Sequence, residues 1–199
     1  MLLTDEAVCD IAHDSVNKKW DEEGVELDEK EKDLGEAKVR GAAVDTTVKI
    51  ALKYHSDLAP KIQPSAVEWP WRLEITGYPY DIIGFVDVRE SVEGLTINPV
   101  RETKSAARKP VEAAEDALVQ LTAYSAAVKV MEGDHPKISV DYVTKTKVPE
   151  IHTRCVTKND DDTQGLLQMV ETVALAKERG LFPDRKSTRL NSSHGKLAR

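Results

Sequence analysis

The sequence predicts an α/β protein built on a central mixed sheet flanked by helices. Three observations point to this class. Apolar residues recur at helical spacing over 36–58, change to strand-like alternation by Val67, and return to helical spacing over 111–131. The stretch between those helices is rich in β-branched residues and cut by glycine- and proline-containing turns. At 199 residues with 40% apolar side chains, the chain can bury one core of ordinary size.

Each element follows from local chemistry. Residues 1–35 are polar and highly charged, with Asp21-Glu22-Glu23 and the 28–33 run read as solvated helix faces or a loose segment. The 36–58 helix carries a stripe of Val44, Val48, Ile50, Ala51, Leu52 and Leu58, with Asp45 near its start. Pro60 and Pro64 end it. Residues 67–75 alternate apolar and charged as a half-buried strand does, and a turn containing Pro79 follows Gly77. Segments 82–90 and 95–104 complete a three-stranded antiparallel meander, in which Pro99, lacking an N–H, marks an edge or a bulge. The 111–131 helix presents Gln120 and Tyr124, four residues apart, on one face. Residues 137–145 read as a fourth strand and 150–157 as a fifth. The polar run 159–163 caps a last helix that stops near Gly180.

Residues 184–199 differ in kind, with almost no apolar content and no periodicity. Their Ser-Thr-Arg-Leu-Asn-Ser-Ser-His core is similar to a tail produced when sequencing-adapter DNA is translated onto a truncated frame. They are expected to be non-native and disordered, a basic DNA-binding tail being the competing reading. The expected organisation is a charged segment 1–35, an α/β domain 36–183 and this tail.

Composition removes several function classes. No apolar run approaches the ~20 residues of a membrane span, and Met1-Leu2-Leu3 passes at once into Thr4-Asp5-Glu6, so no secretory signal is expected. Cys9 and Cys155 are far apart and form no CxxC pair, which suits a reducing cytoplasm and argues against a closed zinc site. The formal net charge of −7 opposes blanket nucleic-acid binding, so any DNA contact needs a local basic patch or a bound cation.

One constellation stands out. Asp87 ends the run Ile82-Ile83-Gly84-Phe85-Val86, and Glu102 and Lys104 lie two residues apart on the next strand. Side chains at i and i+2 share a face, so Glu102 and Lys104 project together, and strand pairing brings Asp87 beside them. Two carboxylates and an ammonium on one side of a sheet are costly to bury without a cation or a phosphate to bind. That pattern describes a site rather than a core. Trp69 and Trp71, alternating on the preceding strand, read either as sheet-face packing or as platforms for nucleic-acid bases.

The ordered set Glu68, Gly84-Phe85-Val86-Asp87, Glu102-Thr103-Lys104 and Gln120-Leu121-Thr122-Ala123-Tyr124 resembles the PD-(D/E)xK nuclease superfamily, in its RecB-like exonuclease branch. The resemblance spans about Gly41 to Tyr124, less than half the chain, and rests on the order of its parts, because a lone D…ExK arises often by chance. It implies a restriction-endonuclease-like core and a metal-dependent DNA nuclease, exonuclease-like, acting in DNA repair, recombination or phage DNA processing. It also implies Mg²⁺ or Mn²⁺ held by Asp87, Glu102 and the Thr103 carbonyl, with Glu68 and Asp45 at the margin as second-metal or water-bridged ligands. Lys104 would orient or deprotonate the attacking water. Gln120 would bond that water or the strand backbone, and Tyr124 the phosphate or its neighbours. Arg108 and Lys109 would lie along a DNA backbone.

Two departures matter. Where RecB-like nucleases commonly carry Gly-x-x-Val-His, this chain has Gly41-Ala42-Ala43-Val44-Asp45. Members with an iron–sulfur cluster carry clustered C-terminal cysteines and this chain has none, so no cluster is expected in it as given. DNA is the implied substrate, with a recombination or helicase partner compatible; oligomeric state and strand polarity stay open. The alternative function is a catalytically inactive nucleic-acid- or protein-binding module that retains the fold.

Overall fold

The structure is a computed structural model that describes residues 3–77, 80–110 and 115–181, the side chains of 115–117 excepted. The chain divides into two compact units, Met1–Lys158 and Asn159–Arg199. The first holds the helices α1 (Asp5–Glu23), α2 (Glu29–Leu34), α3 (Glu36–Asp57) and α4 (Glu115–Glu132). It also holds strands β1 (Pro64–Glu74), β2 (Asp81–Glu90), β3 (Val100–Ala106), β4 (Ile138–Thr144) and β5 (Ile151–Val156). The five strands form one sheet in the order β1-β2-β3-β4-β5. All neighbours are antiparallel except β3 and β4, which run parallel from Val100↔Ile138 to Ala106↔Thr144. A parallel pair needs a crossover, and α4 supplies it. The result is the mixed α/β sandwich expected from the changes of period.

The core lies where α4 meets the sheet. Leu121, Ala127 and Val128 of α4 and Val86, Val100 and Val140 of the strands have no solvent exposure, and Val143 is equally buried on the α3 face. Each such leucine or valine stabilises the fold by about 1.5–3 kcal/mol. Trp71 is buried as well, its ring edge-on to Tyr124 of α4 at 6.0 Å between centroids. Gly84 sits opposite Trp71, and a Cβ there would fall 2.7 Å from Trp71 Cζ2, so only glycine leaves room for the indole. Trp69 is half-buried with the Arg89 guanidinium 5.0 Å from its ring centroid. Both tryptophans therefore serve packing.

The opposite face is held by charge. Arg101 donates to Glu90 (3.0 Å) and to Asp141 (2.5 Å), and Thr153 donates to the other Asp141 oxygen (2.5 Å). This buried ladder joins β2, β3, β4 and β5. Removing Arg101 would strand the fully buried Asp141 charge, a cost of about 3–5 kcal/mol.

The charged N-terminus is helical rather than loose. Thr4 caps α1 by accepting from the Ala7 amide, and Val8 and Ala12 are buried. Arg40 of α3 reaches across to Asn17 (2.6 Å) and Asp21 (2.7 Å), and Trp20 donates to Glu36 (2.9 Å). An Asp28–Glu31 capping box starts α2.

One strand boundary differs from expectation. Residues 95–98 are loop with a bend at 96–97 rather than strand, because Gly94 takes a left-handed φ of 82° and Asn98 accepts from Val92 across the loop. Pro99 lies just ahead of β3 and uses only its carbonyl, which accepts from the Glu90 amide at 3.0 Å. The expected starts of the fourth helix (111–114), the Pro79 turn and the 184–199 tail lie outside the described residues. In the second unit α5 (Asp160–Glu178) opens with the expected cap, Asn159 and Asp162 bonding each other's amides at 3.0 Å. Gly180 follows its end with φ 66°. Among the described residues no helix is long and apolar enough to cross a membrane.

Candidate active site

The site forms where β2 and β3 part. They pair only at Val88↔Arg101 and Arg89↔Val100. One residue further, the ladder gives way to a side chain, and the Asp87 carboxylate accepts the Thr103 amide hydrogen at 2.9 Å. A carboxylate thus replaces a strand carbonyl and satisfies an amide that the divergence would orphan. The neighbouring pair is irregular at the same level. β1 and β2 match at Val67↔Val88 and Trp69↔Val86, and between them Glu68 adopts a left-handed φ of 50°. A non-glycine residue in that region is uncommon and costs about 1–3 kcal/mol. Irregularity on both sides of Asp87 opens the sheet at the acid.

On β3, alternation sends Glu102 and Lys104 to the α4 face and Thr103 to the α3 face. Glu102 is 2% exposed. Its Oε1 takes the Lys104 ammonium at 2.5 Å and its Oε2 accepts from the Tyr124 hydroxyl at 3.1 Å. Tyr124 in turn accepts from the Gln120 amide, and Gln120 Oε1 accepts from Lys104 at 2.8 Å. The four side chains close a circuit from Glu102 through Lys104, Gln120 and Tyr124 back to Glu102. Helical spacing of four makes it possible, stacking Gln120 and Tyr124 along one line of α4.

Electrostatics favour an added positive charge. Burial pushes the Glu102 carboxyl above the usual carboxylate range, and the Asp87 charge adds to this against the hydrogen bonds from Lys104 and Tyr124. Burial and the Glu102 charge likewise push the Tyr124 phenol up, which keeps its hydroxyl a donor. Two carboxylates, one desolvated and both repelling, suit a hard divalent cation. Mg²⁺ is usually held by one or two protein carboxylates, waters and substrate phosphates, so Asp87 and Glu102 fit it without a third acid. Among the described residues no group of three or more histidine, cysteine or acidic side chains could hold a metal ion.

The structure therefore gathers Asp87, Glu102, Thr103, Lys104, Gln120 and Tyr124, and sets Glu68 across from Asp87 on the neighbouring strand. Glu68 is exposed on β1, and Asp45 is exposed on α3, on the side away from Thr47, Ile50 and Tyr54. Arg108 and Lys109 are exposed in the loop after β3. That loop is held at Pro110, whose carbonyl accepts from Arg154 at 3.1 Å.

Tyr54 was not expected from the sequence. Its hydroxyl bonds the Thr103 side chain behind the site, and burial pushes its phenol up. It lines, with Thr47, Ile50, Ala51, Thr103 and others, a cleft of ≈ 410 Å³ between α1, α3 and the sheet. Its spacing from Ile50 and Ala51 was the available signal, since i+3 and i+4 place it on the inner helix face.

No protein-family model and no curated protein matches this sequence. Among solved structures, a protein from Eubacterium rectale described as a candidate exonuclease aligns with a TM-score of 0.52 and 19% identity, covering 79% of this chain. This chain spans 62% of that neighbour's length. SSO0001 aligns more distantly, at TM-score 0.42 and 13% identity over 82% of this chain and 86% of its own. At these identities the likeness to the Eubacterium rectale protein is one of fold, an α/β core with a five-stranded mixed sheet flanked by helices.

Proposed function

We propose that this protein is a metal-dependent deoxyribonuclease of the RecB-like PD-(D/E)xK type, hydrolysing phosphodiester bonds in exonuclease fashion during DNA repair, recombination or phage DNA processing. The observation that carries this reading is the closed Glu102–Lys104–Gln120–Tyr124 circuit beside Asp87, at the point where β2 and β3 separate. The fold shared with the Eubacterium rectale protein described as a candidate exonuclease is consistent with it.

Asp87 and Glu102, with the Thr103 carbonyl, would hold Mg²⁺ or Mn²⁺. The cation would supply neutralisation of the charge that builds on the phosphate oxygens. The remaining chemistry belongs to the chain. Lys104 is held by two acceptors, so when Glu102 turns its charge to a cation, Gln120 Oε1 keeps the ammonium in place. A positioned ammonium can orient the attacking water and pass a proton, a contribution of about 10²–10⁴-fold. Tyr124 fixes the Glu102 rotamer from the other side. Thr103, pinned through its amide by Asp87 and through its side chain by Tyr54, keeps β3 in register between the two acids.

The test is digestion of linear and circular DNA, each single- and double-stranded, with Mg²⁺, Mn²⁺ or EDTA. The expected result is metal-dependent loss of linear DNA and resistance of circles. Cutting of circles would make the enzyme an endonuclease, and activity in EDTA would remove the cation. Intact DNA under every condition would leave the fold as a binding module.

A further inference from the structure

We infer that Arg101 is a positioning residue for the candidate site. The buried Glu90–Arg101–Asp141–Thr153 ladder fixes β3 in register from the α3 face, and so sets where Glu102 stands relative to Asp87. The inference rests on the reading above for the cation that the two acids would take.

Arg101 occupies the last paired position before the strands part. β2 and β3 match at Arg89↔Val100 and Val88↔Arg101 and no further. Alternation puts Arg101 and Thr103 on the α3 face and the intervening Glu102 on the α4 face. On the α3 face the Arg101 guanidinium bridges the two strands that flank its own. Nε donates to Glu90 Oε1 of β2 at 3.0 Å, with Nη2 2.9 Å from the same oxygen. Nη1 donates to Asp141 Oδ2 of β4 at 2.5 Å. Asp141 stands opposite Thr153 of β5 and accepts its hydroxyl on the other oxygen. The Arg101, Glu90 and Asp141 side chains are 13%, 10% and 0% exposed. Beyond Glu102, Thr103 gives its amide hydrogen to the Asp87 carboxylate and lies beside Asp141 in the β3–β4 register. Both neighbours of Glu102 are thus tied down, and with them the backbone that aims its carboxylate.

A ladder of charges is an inefficient way to stabilise a sheet. Apolar side chains of similar volume often do as well, because desolvation offsets the attraction of a buried ion pair. What the charges add is direction. Apolar alternation excludes a one-residue slip of β3, which would turn Glu102 and Lys104 to the α3 face. It does not exclude a two-residue slip, which keeps every side chain on its own face and moves the strand by roughly 7 Å. A planar guanidinium that must reach Glu90 on one side and Asp141 on the other opposes that slip.

The experiment compares Mn²⁺ binding to the full chain, read from the electron paramagnetic resonance of the free ion, with urea melts. Glu90→Met/Arg101→Met/Asp141→Leu makes the ladder apolar, Arg101→Lys keeps the charge without the two-sided fork, and Asp87→Ala reports binding at the candidate site. The apolar triple should melt cooperatively yet bind Mn²⁺ about 10–100-fold more weakly, the usual effect of losing a group that orients a ligand. Arg101→Lys should weaken binding in the same sense with a melt near that of wild type, and it decides the matter alone if the triple does not fold. Wild-type affinity in a folded triple, or in Arg101→Lys where the triple does not fold, overturns the inference and leaves the cation reading standing. Mn²⁺ uptake that Asp87→Ala does not reduce, or no uptake by wild type, overturns the cation reading and the inference with it.

Discussion

Tyr124→Phe isolates the weakest-looking link of the site, and its consequences can be worked out from the structure. Phenylalanine keeps the ring, and with it the edge-on contact to Trp71 at 6.0 Å. Only the hydroxyl goes, and with it one donor to Glu102 Oε2 and one acceptor for Gln120. Tyr124 is 2% exposed, so water cannot replace the lost bond to Glu102, while half-buried Gln120 can be rehydrated. A buried hydrogen bond to a charged group is worth about 1.5–3 kcal/mol, and the rehydrated amide places this loss near the lower half, about 2 kcal/mol. For a chain of this size that lowers Tm by about 4–8 °C. The loss should depend on pH, with a definite sign. The Glu102 carboxyl is raised by burial, so over the window between its ordinary and raised values the folded protein holds a proton that the unfolded chain has released. Stability therefore falls as pH rises through that window. The Tyr124 hydroxyl favours the charged carboxylate, so its removal raises Glu102 further and deepens the fall. Thermal melts of metal-free wild type and variant in EDTA, from acid to neutral pH, should show a larger gap at neutral pH. A gap of the same size at every pH, or no gap, would refute the circuit as described.

Two further substitutions probe how the site is supported. Gly84→Ala places a methyl group 2.7 Å from Trp71 Cζ2 and should cost about 1–3 kcal/mol through overpacking. Because Trp71 backs Tyr124, cleavage should also fall by on the order of 10²-fold, read as kcat at saturating DNA against a urea melt. Asp87→Asn keeps an acceptor for the Thr103 amide, whereas Asp87→Ala orphans it at a cost of about 1–3 kcal/mol. Urea denaturation should therefore separate the two, although both remove the charge needed at the site.

Much of this arrangement was legible in the chain because periodicity and spacing encode it directly. Glu102 and Lys104 at i, i+2 and Gln120 and Tyr124 at i, i+4 each had to share a face, and the structure joins the two pairs. Local rules also placed the α5 cap and the core strands. Three features needed tertiary information. The role of Asp87 as a substitute strand carbonyl depends on where β2 and β3 part, which no local pattern records. Helix phase turns Asp45 outward on α3, and Glu68 is exposed across from Asp87 on a left-handed backbone, neither of which any local pattern records. The parallel pairing of β3 with β4, which sets Glu102 against Val140, follows from the α4 crossover rather than from any neighbour in sequence.

The most direct test of the central claim, that Asp87 and Lys104 act on a phosphodiester, is single-turnover cleavage of end-labelled linear DNA in Mg²⁺ by wild type, Asp87→Asn and Lys104→Arg. Asparagine preserves the Thr103 bond without the charge, and arginine preserves the positive charge but keeps its proton at any working pH. Both variants should fold, bind DNA and cleave at rates lower by about 10²-fold or more. Cleavage near the wild-type rate in Asp87→Asn would make the acid a structural strap, and the same result in Lys104→Arg would confine the lysine to holding phosphate.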